Sequence, residues 1–364
     1  MKISDITNYL ESLAPLSSQE SYDNCGLLVG DKHVNLSNAL IALDCVEEIV
    51  DEAIAKNCNL IIAHHPIVFK GLKKITGKNY VERTLLKAIK NDIAIYAMHT
   101  NLDNYQNGVN KKIGDLLGVY NPRILRPSAN TLAKLSVYVP KDHHNHVLQA
   151  LFDAGAGKIG NYSECSFSSH GEGTFKASEL ANPFVGAKEK RHKENEVKLE
   201  VLISTHAISQ TIKALVAAHP YEEVAYDVYP LLNKNNWEGA GMIGDLENPA
   251  SETNFLQKLK EIFKTGTIRH TNLLNKPIKR VAWCGGSGSF LLADALRAKA
   301  DIYITGDFKY HEFFDADNQI IIADIGHFES EQHTIELIKE LIQKKFPKFA
   351  PCLTEKNTNP IKYF

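Results

Sequence analysis

The sequence predicts an α/β protein made of two related α/β halves that form one domain around one site, with a ferredoxin-like α+β domain inserted between them. Three observations predict it. In the first third, short apolar runs alternate with amphipathic helical runs across short connections, the pattern of parallel strands with helical crossovers. The last third repeats that rhythm. Between them the order changes to β-α-β-β-α-β. The segments read as 1–128, 129–233 and 234–364.

Ile3, Ile6, Leu10 and Leu13 recur at helical spacing, giving an amphipathic first helix closed by Pro15. "ALIALD" is a strand. "DCVEEIVDEAIAKN" is a helix with Asp44 as the expected N-cap and Glu47 completing a capping box. Leu60, Ile61 and Ile62 have no polar partner among them and read as a strand buried on both faces. A helix near "YVERTLLKAIKN" and the strand "IAIYAM", leading into "HTNLD", complete the first half.

The middle segment opens with the strand "LAKLSVYVP", in which alternating Leu135, Val137 and Val139 suit a sheet with one wet face. The helix "NHVLQALFDAG" and the strands "YSECSFSSHG" and "GTFKAS" follow. The loop "GAKEKRHKENE" has almost no apolar residues and is expected to be mobile and solvated. The strand "VKLEVLIST", the helix "SQTIKALVAAH" and the strand "VAYDVYPL" close the unit. In the last third "KRVAWC" runs into "GGSGS" and the helix "FLLADALRAKA". "DIYIT" leads into "GDFKYHEFF", and "QIIIAD" into "IGHFESEQHTIELIKELIQKKF".

Composition bounds the function. With 364 residues, 44% hydrophobic and 23% charged, the chain can bury a sizeable core as an ordinary soluble protein. Lys+Arg 41 against Asp+Glu 43 leaves a formal charge of −2 and no basic footprint for nucleic acid. The six cysteines form neither a CxxC pair nor a disulfide-like framework, which fits reduced thiols in a cytoplasmic protein. The N-terminal "MKISDITNYLESLAP" has no apolar core of a signal peptide, and no apolar run approaches the length of a bilayer. The expected location is the cytoplasm.

In an open parallel sheet, ligands bind beyond the carboxyl ends of the strands. There this chain places His64 and His65; His99, Thr100, Asn101 and Asp103; Asp307 and His311; and His327 and Glu331. Five histidines and several carboxylates converge without comparable cations to neutralise them. Each alone reads as structural or exposed; their recurrence at four strand ends points to a divalent metal. Imidazole with carboxylate suits zinc, iron, manganese, nickel or cobalt, and the lack of paired thiols argues against structural zinc. Adjacent residues in extended backbone point in opposite directions, so His64 and His65 do not easily share one ion. His327 and Glu331 share a helical face at i,i+4, and a carboxylate can bridge two ions.

Two stretches stay open. In "CGGSGS", Gly285, Gly286 and Ser287 can cradle phosphate on free N–H groups, or simply make a tight strand-to-helix turn. In "SYDNCGLLVG", Asp23, Asn24 and Gly26 line the site or merely turn the chain.

Together "DNCGLLVG", "LIIAHHPIVFKG", "YAMHTNLD", "VAWCGGSGSF", "DIYITGDFKYHEF" and "DIGHFESE" resemble the Nif-three-like family, also known as GTP cyclohydrolase 1 type 2 homologs or dinuclear metal-centre hexameric proteins. "NYSECSFSSHGEGTF" and "HPYEEVAYDVYPL" resemble the PII/CutA-like insert of its longer bacterial members. The resemblance implies two divalent ions per subunit, held by His64, His65, Asp103, His327 and Glu331, with Glu331 bridging. It pairs His65 with Asp103 on one ion and His64 with His327 on the other. It further implies a toroidal homohexamer, a trimer of dimers, in a family whose name rests on GTP ring opening. The leading expectation is therefore a metal-dependent hydrolase acting on a purine nucleotide such as GTP, with His99, Asp307 or His311 in proton transfer and the glycine turn on phosphate. The alternative is a non-catalytic regulatory or scaffold protein, in which the metal ring is structural and the insert senses a ligand or contacts a partner.

Overall fold

The computed structural model describes residues 1–364. The chain divides into two compact units, Met1–Pro127 with Trp237–Phe364, and Ser128–Asn236.

The first unit holds two sheets. One runs in the order Gly26–Val29, Ala94–Ala97, Leu60–Ala63, Ala39–Ala42, Cys352–Leu353. Ala39–Ala42, Leu60–Ala63 and Ala94–Ala97 are mutually parallel. The other runs Arg269–His270, Ile321–Asp324, Ile302–Gly306, Ile278–Ser287, Asn235–Ala250, Val119–Ser128, and its three central strands Ile278–Ser287, Ile302–Gly306 and Ile321–Asp324 are again parallel.

The period-2 geometry of a strand explains why these runs are apolar throughout. Ala39, Ile41 and Ile62 face a core shared with Trp283, Ile304 and Ala323 of the second sheet. Leu40, Ala42 and Ile61 face the opposite way, onto Ile49, Val50 and Ala53 of the helix Glu47–Ala55. Ala282, Tyr303 and Ile322 likewise turn outward onto Leu291, Leu292 and Ala295. Each sheet is thus covered on both faces, and its polar strand ends are left as the place where ligands can reach it. Trp283 is fully buried in the shared core, its indole N–H donating to the Asn110 carbonyl at 2.7 Å. Burying a side chain of this size contributes about 2–3 kcal/mol.

Several local expectations change. Asp44 does not cap the following helix, which starts at Glu47 behind Val46 with no side-chain cap; a tertiary partner has claimed its carboxylate. "FLLADALRAKA" forms one 3₁₀ turn, Ser289–Leu291, and a short helix, Leu292–Arg297. "HFESE" and "TIELIKELIQKK" are two helices, His327–Glu331 and Thr334–Lys345. No helix is long and apolar enough to cross a membrane.

The second unit is a four-stranded antiparallel sheet in the order Ser166–Lys176, Arg191–Ser204, Leu132–Pro140, Tyr226–Pro230. The helices His144–Asp153 and Ile208–Ala218 place Val147, Leu151 and Leu215 in one core with Leu135, Val137, Val139 and Leu199, so the β-α-β-β-α-β order is realised. Two features differ from expectation. "YSECSFSSHG" and "GTFKAS" yield one strand, Ser166–Lys176, and half of the expected solvated loop is its partner: Arg191 pairs with Lys176 and Glu196 with Gly171. This hairpin arm is largely solvent-exposed, so it carries no hydrophobic alternation to read. Cross-strand ion pairs such as Lys193–Glu172, at 2.7 Å, accompany its ladder.

Candidate metal centre

All the donors sit within the first unit. The strand Leu60–Ala63 ends directly in His64 and His65. Ala94–Ala97 passes through Met98 and His99 into the one-turn helix Thr100–Asp103. Ile302–Gly306 ends in Asp307, whose φ of 60° turns the chain sharply, and Ile321–Asp324 leads to the helix His327–Glu331.

Three imidazoles are oriented identically. Each uses Nδ1 on an oxygen: His64 on the Met98 carbonyl at 2.7 Å, His65 on Asp44 at 2.8 Å, His327 on Asp307 at 2.7 Å. A carbonyl or carboxylate can only accept, so Nδ1 carries the proton and Nε2 presents a lone pair inward. This is the arrangement by which outer partners fix a ligating histidine.

The inward atoms fall into two triads. His65 Nε2, His327 Nε2 and Glu331 Oε2 lie 3.0–3.2 Å apart. His64 Nε2 lies 3.6 Å from both Asp103 Oδ1 and Glu331 Oε1. Each triad could hold a metal ion, and Glu331 belongs to both. His64 Nε2 and Asp103 Oδ1 are buried with no hydrogen-bond partner, a cost of about 1–3 kcal/mol each that a cation would remove.

Electrostatics point the same way. Burial lowers the His65 imidazole, but hydrogen bonds to Asp44 and Glu331 outweigh it and push it up to about 10. For His327 the charges of Glu331 and Asp307 likewise overcome burial, to about 11. Burial, then the nearby Glu331 charge, pushes Asp103 up to about 8. Burial also opposes the Glu331 charge, yet His327 and His64 hold its carboxyl well below the usual range. The acids therefore demand positive charge. Supplied as protons, it would set two imidazolium rings nitrogen to nitrogen at 3.2 Å. A divalent cation satisfies the same lone pairs without that repulsion.

The grouping corrects one expectation. His65 joins His327 rather than Asp103, and His64 joins Asp103 rather than His327, because Glu331 directs its two oxygens to those separate pairs. His99 adds a third grouping of possible metal donors, with His64 and His65, its ring 5.3 Å from His64 and 5.4 Å from His65 and its Nδ1 held by Asp23 at 2.8 Å. Asp307 orients His327. His311 does not join the cluster; it packs against Tyr310 and Phe314 on the exposed turn Tyr310–Ala316.

The glycine turn is not a phosphate cradle, because its amides are taken. Gly285 N–H donates to Asn110 Oδ1 at 3.0 Å and Gly286 N–H to Ser330 Oγ at 2.9 Å. Ser287 lines the adjoining cavity and is bound into the sheet opposite Gly306.

Of the two roles open to Asp23, lining the site is the one seen: it holds His99 Nδ1 at 2.8 Å and accepts the Thr100 N–H at 3.0 Å. Asp44 and Thr358 were not anticipated as outer partners. Asp44 follows the strand "ALIA" at the same carboxyl edge, and that position was the available signal. Thr358 has none: from the C-terminal segment its hydroxyl donates to Asp44 Oδ2 at 2.6 Å, so Asp44 is held between it and His65. Thr358→Val keeps the shape and deletes that bond. It is expected to weaken divalent-metal affinity by roughly tenfold, the lower end for an outer partner. Competition against a chelator measures this, and unchanged affinity removes Thr358 from the centre.

A sequence profile of the family described as Duf34/NIF3 (NGG1p interacting factor 3) matches residues 1–360. A Halalkalibacterium halodurans protein named "GTP cyclohydrolase 1 type 2 homolog" is 38% identical over 96% of this chain and 94% of its own. A Bacillus subtilis protein of the same name is 36% identical over 98% and 97%. Among solved structures, a Bacillus cereus protein related to NIF3 superposes with a TM-score of 0.87 at 37% identity, covering 100% of this chain and 99% of that one. With a match across nearly its whole length and relatives this similar, the chain belongs to the Duf34/NIF3 family.

Proposed function

We propose that this protein is a dinuclear metal-dependent hydrolase that opens the imidazole ring of a purine nucleotide, with GTP as its substrate. The observation that carries the reading is the pair of inward-facing acceptor triads sharing the two oxygens of Glu331. Zinc, iron, manganese, nickel and cobalt all suit its imidazole and carboxylate donors. When bound, two such ions lower the pKa of water toward neutrality and supply hydroxide at pH 7.

The chain's own residues do the rest. His64, His65 and His327 hold their positions through the Met98 carbonyl, Asp44 and Asp307 respectively, and Asp103 stands beside His64. His99 lines the adjoining cavity with Nδ1 anchored on Asp23, which leaves Nε2 to accept or deliver a proton. In ring opening one water adds across N7=C8, its oxygen to C8 and one proton to N7; the C8–N9 bond then breaks as the C8 hydroxyl becomes a carbonyl and its proton passes to N9, leaving a formamide on N7. In this reading His99 Nε2 carries the proton to N9. The names borne by the relatives support the substrate.

The reading includes a cytoplasmic homohexamer, a trimer of dimers, with residues 128–236 as a PII/CutA-like accessory domain; the family resemblance supports the assembly, and the β-α-β-β-α-β order supports the domain. A regulatory insert working through a mobile charged loop is less well supported, because half of the segment 186–196 is paired strand.

Metal-replete protein incubated with GTP is expected to yield the formamidopyrimidine, heavier than GTP by one water in mass spectrometry, and His65→Ala to abolish it. Absence of that product from metal-replete protein ends the reading.

A further inference from the structure

The metal centre opens into a cavity of about 200 Å³, on whose wall Asp103 and Glu331 lie with His327, and no lysine or arginine lines it. That volume is below the roughly 300 Å³ at which sites for drug-sized ligands begin. It suits a flat bicyclic base and leaves a sugar and phosphates outside. Among the other lining residues, Glu20, Tyr22 and Phe290 stand out and are unused by the chemistry above.

Tyr22 and Phe290 keep 61% and 52% of their surface exposed, although both border a cavity in a well-packed unit. Neither is loose. Tyr22 leans on Phe69 at a centroid distance of 6.2 Å, and Phe69 in turn meets the His99 ring edge at 6.2 Å. Phe290 is covered on one face by the Arg126 guanidinium at 5.2 Å, which also donates to the Phe290 carbonyl at 2.7 Å. Rigid aromatic faces at a cavity mouth are what a planar ring stacks on.

Glu20 supplies the polar end. Its backbone N–H donates to Thr100 Oγ1 at 2.9 Å, and Asn104 Nδ2 donates to its Oε1 at 3.2 Å. The carboxylate is thereby oriented, with Oε2 and the second lone pair of Oε1 unclaimed. Two parallel acceptors of this kind match two parallel N–H donors. Guanine has such an edge, N1–H and the 2-amino group; adenine lacks N1–H and hypoxanthine lacks the amine. That edge is at the opposite end of the bicycle from C8, so a carboxylate reading it would turn C8 away from itself and toward the rest of the cavity.

We infer that Glu20, with Tyr22 and Phe290 as walls, is a guanine-reading subsite of this centre. This rests on the purine-nucleotide reading above and adds to it the residue that selects the base. Glu20 is a specificity residue: it touches the base and no reacting atom.

The test is equilibrium binding of guanosine, inosine and adenosine monophosphates to metal-replete wild type and to Glu20→Ala and Glu20→Gln. Metal content per chain serves as the folding control. Wild type is expected to bind the guanosine nucleotide at least tenfold more tightly than the adenosine one, with inosine between. Glu20→Ala is expected to erase that preference, and Glu20→Gln, which keeps one acceptor, to reduce it. Guanosine preference surviving in Glu20→Ala overturns the subsite, even where GTP is still opened. Lost preference in Glu20→Ala with no formamidopyrimidine formed by wild type keeps the subsite and overturns the reaction. Wild type that binds no guanosine nucleotide overturns both.

Discussion

Glu331→Gln is expected to remove both metal ions from the protein, a larger effect than any other single substitution at the centre. Its two oxygens belong to different triads, Oε1 with His64 and Asp103, Oε2 with His65 and His327. Losing the carboxylate deletes one donor and a shared negative charge from each triad at once. Disturbing a mere outer partner costs about 10–100-fold in affinity, and deleting a direct donor from both triads costs more than that for each. The fold should persist, because the amide keeps the side chain's volume and can donate one N–H to the inward Nε2 of His65 or His327. Asp103→Asn is the matched control: Asp103 touches only the His64 triad, so one ion should be lost and one kept. Elemental analysis per chain reads both outcomes. Two ions retained in Glu331→Gln would mean that this carboxylate does not bridge.

The strand ends were legible because four-residue apolar runs stop abruptly at polar residues, and the parallel-sheet rule then says which edge collects ligands. That is how His64, His65, Asp103, His327 and Glu331 could be collected, together with His99, Thr100, Asn101, Asp307 and His311, from residues up to 267 positions apart; the family resemblance narrowed them to the five. What the sequence could not carry was direction. Alternation along an extended chain separates His64 from His65, but which acid each meets depends on where Glu331 aims its oxygens, a tertiary matter. His311 stands four residues from Asp307, and its turn carries it outward to Tyr310 and Phe314. Asp44 satisfied a local capping rule and was then claimed by His65 and Thr358, partners 21 and 314 residues away. The hairpin arm around Arg191–Glu196 failed for another reason. Its strands are held by backbone ladders and surface ion pairs, so burial writes no pattern there.

Gly286→Ala should cost metal without touching a ligand. Gly286 has φ of +63°, and a Cβ built there lies 2.3 Å from Glu331 Oε1 and 3.3 Å from His327 Nε2. The left-handed backbone costs about 1–2 kcal/mol for alanine. The contact is worse, since Glu331 is 2% exposed and cannot swing into solvent. Gly285 crowds it as well, with a Cβ position 3.4 Å from Glu331 Cγ. The carboxylate must therefore shift, and Oε1 moves first, so the His64–Asp103 triad should lose its ion and the His65–His327 triad should weaken. Gly71→Ala, where a Cβ meets nothing within 4 Å, controls for the substitution itself and should keep full metal content. The outcome also separates the two readings of the glycine turn. If Gly286 served phosphate, its alanine variant would lose nucleotide affinity with both ions in place. If it serves the approach of Glu331, metal leaves first, in protein that has never met a nucleotide.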